Sequence, residues 1–252
     1  MTTRKKKMLL CISNAGSEGK TTIAKTVKET LMHNGITHST YLCDKDHIEL
    51  LKTYGSAVTM FDIRQDKDTL INALGDDVEL ILVDFPAASI DELTNVFGSM
   101  QTFIDSFGVF EAVPVFIIPV VSDKSIQSID RLSALLEGVQ GEYEFVFVLN
   151  EGLMTSKDAV NLAFNSNKSV QAAISSGKAK TVTISTKFTP AFSELVKTQR
   201  LRQALTQKLN PMEKVLLMDF LKKTDQQFCE VFGFKSVSTP TVLETIVKTK
   251  AK

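Results

Sequence analysis

Met8-Leu9-Leu10-Cys11-Ile12-Ser13 runs into Asn14-Ala15-Gly16-Ser17-Glu18-Gly19-Lys20-Thr21-Thr22, and from there into a segment that carries Ile23, Val27 and Leu31 on one helical face. The first part is a short apolar run bounded by polar residues, the pattern of a buried strand. The last part has helical periodicity and meets a C-terminal stop at Gly35. Between them lies a glycine-bearing loop that ends in Gly19-Lys20-Thr21. A strand, such a loop and a helix in this order form a phosphate-binding loop: glycines let successive backbone N–H groups turn inward around phosphates, and the positive end of the helix dipole points the same way. In this reading Lys20 reaches the β and γ phosphates, and the Thr21 hydroxyl ligates Mg²⁺. The pattern has glycine at its first position, where this chain has Asn14. Asn tolerates the left-handed backbone better than most residues, so the loop is expected to survive the change.

Working outward, short apolar runs recur at Thr40 to Cys43, Leu80 to Asp84, Val113 to Val121, Phe145 to Leu149 and Val182 to Ile184. Longer segments separate them, and the one from Ser125 to Glu137 repeats apolar residues at Ile126, Ile129, Leu132, Leu135 and Leu136. This alternation predicts a three-layer α/β/α fold with a mostly parallel central sheet. After Ser185 the strand signal fades. Phe192 to Leu209 and Met212 to Phe232 read as helices parted by Asn210 and Pro211, so the chain is expected to finish in helices. We assign residues 1–234 to one nucleotide-binding domain. Residues 235–252 are left as a flexible tail or a short amphipathic helix, because Ser, Thr and Pro cluster at Ser236 to Thr241.

Ligands of open parallel sheets bind beyond the C-terminal ends of the strands, so acids there are the candidates for metal work. The strand after the first helix ends in Asp44-Lys45-Asp46, and the Leu80 strand ends in Asp84-Phe85-Pro86. Asp84 fits the acid that holds the metal through water. Asp44 and Asp46 stand where a mobile loop orients an attacking water. Asp46-His47-Ile48-Glu49 also has the shape of a capping box, and that alternative for Asp46 stays open.

These blocks resemble the ParA/MinD family of the SIMIBI class of P-loop NTPases, from about Leu9 to Asn150. Gly16 to Thr22 resembles the family's modified Walker A loop, Asp44-Lys45-Asp46 its switch I, and Leu82 to Pro86 its Walker B and switch II segment. Val115 to Val121 with the following helix resembles the strand that ends in Ile-Pro, and Val148-Leu149-Asn150 the strand whose Asn reads adenine. The resemblance implies ATP and Mg²⁺ as cofactors, with catalytic roles for Lys20, Asp44 and Asp46. It also implies nucleotide contacts from Asn14, Ala15, Gly16, Ser17, Glu18, Gly19, Lys20, Thr21, Thr22 and Asn150, and metal contacts from Thr21, Asp44 and Asp84. The family's signature lysine falls at position 15, where this chain has Ala15, and Ser17 replaces a family glycine. Slow hydrolysis is the expectation. Lys45 and Lys124 are candidates to supply the missing cation.

The resemblance also implies a nucleotide-dependent homodimer, with nonspecific DNA or an adaptor protein as partners, acting in plasmid partition, positioning or conjugation. Two alternatives share the fold: a binding module with little turnover, and an ATP-dependent carboxylate-activating enzyme. Formal net charge is zero, yet Ile36 to Ala112 carries 14 acidic and 4 basic residues, and Lys178 to Lys252 carries 6 acidic and 14 basic. A basic final third suits DNA through phosphate neutralisation, with Lys178, Lys180, Lys187, Arg200 and Arg202 foremost, and a solvated helical surface is the alternative that stays open. Val242, Leu243, Ile246 and Val247 beside Lys248, Lys250 and Lys252 make only a short amphipathic segment, which argues against membrane anchoring. No run approaches the roughly 18 apolar residues of a membrane span. His33, His38 and His47 lack metal spacing, and Cys11, Cys43 and Cys229 read as reduced core residues of a cytoplasmic protein.

Overall fold

The computed structural model describes residues 5–45, 48–185, 199–206 and 209–237. Seven strands form one sheet: β1 (Lys6–Cys11), β2 (His38–Leu42), β3 (Thr59–Met60), β4 (Leu80–Asp84), β5 (Ala112–Val120), β6 (Glu144–Asn150) and β7 (Ala179–Ile184). Their spatial order is β3-β2-β4-β1-β5-β6-β7, and every pairing is parallel. Five helices precede β5 or follow β1 on the way to it: α1 (Lys20–His33), α2 (Glu49–Tyr54), α3 (Lys67–Asn72), α4 (Ser89–Phe97) and α5 (Met100–Gly108). Five more follow: α6 (Asp123–Leu135), α7 (Lys157–Ser166), α8 (Lys168–Ser175), α9 (Leu201–Ala204) and α10 (Pro211–Phe232).

The central strands are apolar on both faces, as a sheet covered on both sides requires. Met8 and Leu10 of β1 join Phe116 and Ile118 of β5 beneath α3 to α8. Leu9 and Cys11 point the other way with Val115 and Ile117, beneath α1, α9 and α10. The strand order reverses about β1, which lies between β4 and β5, so the loop leaving β1 opens at a topological switch point.

Every strand read from the sequence is present within a few residues, and β3 is added to them. The C-terminal half of the helical expectation needs correcting. Phe192 to Leu209 is not one continuous helix, because Gln199 and Arg200 are non-helical and only Leu201–Ala204 is helical among the described residues of that span. The extended backbone of Arg200, at ψ 135°, ends any helix before it. By contrast α10 starts where expected: Asn210 caps it, Pro211 takes the first turn, Glu213 completes a reciprocal capping box, and Gly233 closes it at φ 76°.

Helix α1 is more enclosed than its apolar stripe suggests. Lys25, Lys28 and Glu29 are buried beside Ile23, Val27 and Leu31. Their polar atoms are served by tertiary partners: Lys28 donates to Thr40 Oγ1 at 2.7 Å, and the Tyr54 hydroxyl donates to Glu29 at 2.8 Å. Burial lowers Lys25 and Lys28 to about 8. Cys11, Cys43 and Cys229 are buried and free. No described helix is long and apolar enough to cross a membrane. The tail residues Val242, Leu243, Ile246, Val247, Lys248, Lys250 and Lys252 lie outside the described residues.

Candidate nucleotide-binding site

The loop leaving β1 closes on itself. Gly19 caps α1 in the left-handed conformation at φ 84°, and its carbonyl accepts the Ile23 N–H at 2.9 Å. Ser17 is left-handed too, at φ 60°. The Lys20 ammonium donates back across the loop to the Ala15 carbonyl at 2.9 Å. With only 8% of its surface exposed, Lys20 has its pKa lowered by burial, while Asp84, Glu18, Asp44 and Cys11 oppose the shift. An amine held over a turn of backbone N–H groups is a mount for anionic oxygens.

The expectation for Asn14 is corrected. Left-handed described residues other than glycine are Ser17, Ala88 and Glu111, so Asn14 uses no left-handed backbone. It acts as a strut: its amide donates to Asp91 at 2.8 Å, its side-chain oxygen accepts the Ile90 N–H at 3.1 Å, and its carbonyl accepts the Ala88 N–H at 3.2 Å. Asp91 is held in turn by Arg131 at 2.9 Å. The first loop position is thereby bolted to the start of α4.

Asp84 ends β4 opposite Cys11 of β1 and Leu42 of β2. It is fully buried, and neither carboxylate oxygen has a hydrogen-bond partner of ordinary geometry among the described residues. Burial pushes its pKa up to about 7. The Thr21 hydroxyl and the Lys20 ammonium pull it back, and the charges of Asp44 and Glu49 push it higher. A desolvated carboxylate without a donor is costly unless a cation or water completes it. Its position beside Thr21 fits a hard divalent ion that keeps several waters and takes its remaining oxygens from phosphates. No group of three or more His, Cys, Asp or Glu able to ligate a metal occurs among the described residues.

Asp44 follows β2, is buried, and its charge acts on both Lys20 and Asp84. Asp46 and His47 lie outside the described residues. The N-cap of α2 is Ile48, which offers no side-chain cap. Asn150 is the last residue of β6, and its side chain reaches the loop at Gly19. Lys20, Thr21, Asp44, Asp84 and Asn150 are therefore gathered at one end of the sheet, with Gly16 and Ser17 exposed above them. Lys45 is paired with Asp62 at 2.7 Å. Lys124 is exposed in the first turn of α6.

Sequence reading counts Glu18 only among the backbone donors of the loop, and the structure adds a side-chain role. Its carboxylate is 4% exposed and accepts three serine hydroxyls: Ser13 at 2.5 Å, Ser125 at 2.6 Å and Ser122 at 3.1 Å. Ser128 adds a hydroxyl near Ser13 and accepts the Asn14 N–H. The spacing of Ser122, Ser125 and Ser128 puts them on one helical face, a signal present in the sequence.

Of the cations named for DNA, the four described ones are engaged by the protein itself. Lys178 lies 3.9 Å from the Tyr143 ring centroid, Lys180 donates to the Val231 carbonyl, Arg200 stacks over Tyr54 at 5.3 Å, and Arg202 pairs with Asp225. Lys187 lies outside the described residues. His33 is 3.9 Å from Asp225, and His38 sits 2.8 Å from the Ile36 carbonyl.

No protein-family model and no curated protein sequence matches the chain. Solved structures do. A chain of the MinC:MinD cell division protein complex of Aquifex aeolicus superposes with a TM-score of 0.53 at 14% identity, over 94% of this chain and 98% of that one. A MinD cell division protein of Aquifex aeolicus gives 0.52 at 13% identity, over 94% and 100%. The fold is that of the ParA/MinD P-loop ATPases. Within it, the loop that holds Ala15 joins β1 to α1, and Asp84 closes the strand next to β1. Nearly the full length of a MinD-type fold is covered, so β7 and α10 belong to the same architecture as the loop.

Proposed function

We propose that the chain is a nucleotide-dependent molecular switch that binds Mg²⁺-ATP in the loop from Asn14 to Thr22 and hydrolyses it slowly. The observation that carries this reading is Asp84: a fully buried carboxylate that the Thr21 hydroxyl and the Lys20 ammonium favour in its charged form but that neither meets with a hydrogen bond of ordinary geometry. A magnesium–triphosphate complex supplies what each of these groups lacks. Thr21 and, through water, Asp84 would hold the ion, Lys20 would turn from the Ala15 carbonyl to the phosphates, and Asp44 with Asp46 would orient the attacking water. Asn150, held against Gly19, reads the base. ATP then favours a paired state of two chains, and hydrolysis returns the single state. Partition, positioning or conjugation of a plasmid, with DNA or an adaptor as partner, is the biological setting we infer from the resemblance.

Isothermal calorimetry tests the reading. Mg²⁺-ATP should bind the wild-type chain in the micromolar range, about 8 kcal/mol, and Lys20→Ala should lose at least tenfold. Wild-type binding no tighter than the variant's defeats it.

Ala15 favours a second reading, a binding module that holds nucleotide with negligible turnover. No ammonium stands at that position to stabilise charge on the phosphoryl oxygens, an interaction whose loss costs on the order of a hundredfold in rate. Single-turnover hydrolysis with and without DNA separates the two.

A further inference from the structure

Glu18 has its backbone in the phosphate loop and its carboxylate in another element. One oxygen accepts Ser13 Oγ; the other accepts Ser122 Oγ and Ser125 Oγ, which stand 104 and 107 residues away at the start of α6. Short O–H···O⁻ bonds to a buried charge are among the stronger ones in proteins, and an anion at a helix N-terminus gains further from the helix dipole. The Ser125 hydroxyl also accepts the Val121 and Ser122 N–H groups, so it is the cap of α6 itself that grips Glu18.

We propose that Glu18 is a positioning residue through which occupancy of the phosphate loop is passed to the first turn of α6. The inference rests on the nucleotide-binding reading above and says where its signal goes. Ser13 is the joint. Its hydroxyl donates to Glu18 and accepts the Ala15 N–H at 3.0 Å, and the Ala15 carbonyl in turn receives the Lys20 ammonium. Phosphates draw both the Lys20 ammonium and the loop N–H groups to themselves, which removes two of the contacts that hold Ala15. The change reaches Ser13, then Glu18, then Ser122 and Ser125. Ser17, left-handed immediately before Glu18, is the pivot: an L-residue is strained there, so a rearrangement of the loop at this point relieves strain.

The chain has no tryptophan, so one placed at the exposed Gln127 of α6 reports that helix alone. In the Gln127→Trp protein, a non-hydrolysable ATP analogue with Mg²⁺ is expected to shift the emission saturably. In the same protein carrying Glu18→Gln, which keeps the volume and removes the charge, the analogue should bind about tenfold more weakly, the weight of one hydrogen bond to a charged group. At saturation the shift should fall by at least half. Ser122→Ala, which removes the Ser122 half of the capping box but leaves the Ser125 hydroxyl on Glu18 and on the Val121 and Ser122 N–H groups, should also reduce it. Absence of any analogue binding to the Gln127→Trp parent would bring down the nucleotide reading itself. Binding without an emission shift, or a full shift surviving in both variants, would overturn the Glu18 link alone.

Discussion

The amide nitrogen of Asn150 lies 3.1 Å from the point where a Cβ on Gly19 would stand, and Leu153 Cδ1 lies 2.9 Å from it. Gly19 is also left-handed, at φ 84°. Gly19→Ala therefore meets two separate penalties: backbone strain of about 1–2 kcal/mol and a collision that pushes Asn150 off the loop. Gly35→Ala is the control, since Gly35 has φ 66° with nothing within 4 Å of its Cβ position. Both variants should lose about 1 kcal/mol or more in urea unfolding. Only Gly19→Ala should lose nucleotide affinity, by at least about tenfold in calorimetry. Equal affinity in the two variants would remove Asn150 and Gly19 from the site.

Asp84 gives stability a pH dependence of known sign. Its carboxyl is raised from 3.8 to about 7 by burial. Between those values the unfolded chain has released the proton and the folded chain retains it, so stability falls as pH rises through the window. Below about 4 the penalty is absent, and above about 7 it is complete, at roughly 2–4 kcal/mol. Asp84→Asn does not titrate. Urea unfolding without nucleotide should show the variant gaining on the wild type from pH 5 to pH 8, and a difference that is the same at both pH values would mean that the carboxyl is not buried unpartnered.

Much of this architecture is readable along the chain because the physics is local there. Leu80 to Asp84 is apolar on both faces and ends in an acid, and a buried parallel strand has no other signature. The two-residue β3 is exposed at both positions and pairs only at the sheet edge, so no periodicity marks it. Gln199 and Arg200 interrupt an otherwise helical pattern for a tertiary reason, the stacking of Arg200 on Tyr54, which no window of sequence contains. Asn14 and Glu18 were legible as loop positions. Their side-chain roles were not, because every side-chain partner except Ser13 lies 76 to 107 residues away.

The strut at Asn14 leads to an outcome opposite to the one the loop pattern suggests. Asn14→Gly restores the expected first glycine, yet it removes the donor to Asp91 and the acceptor of the Ile90 N–H. The Ile90 side chain is fully buried, so water replaces that acceptor poorly. Asn14→Gly should be destabilised by about 1–3 kcal/mol, read by urea unfolding. A variant as stable as the wild type would show the strut to be idle.

Arg202 must be judged by the same standard before it is used to test DNA binding. Its guanidinium pairs with Asp225, which is 1% exposed, and its backbone N–H donates to Glu29 at 3.4 Å. Removing one partner of a buried ion pair costs about 3–5 kcal/mol, so Arg202→Ala should unfold at markedly lower urea and lose any DNA affinity through instability. The mechanism can be checked through His33, 3.9 Å from the same Asp225 oxygen. His33 has its pKa lowered, first by burial and then by the Arg202 charge, while Asp225 and Glu29 oppose the shift. Without Arg202 that repulsion is gone and the attraction of Asp225 remains, so the imidazole pKa rises and protonation supplies a substitute cation. The group then contributes stability below its new pKa and loses it as pH rises through that value. The deficit of Arg202→Ala should accordingly be smaller at pH 5.5 than at pH 8, and Arg202→Ala/His33→Ala should show no such recovery. A deficit that ignores pH would mean that Asp225 is satisfied by other groups, and Arg202 would then be a fair probe of an anionic partner.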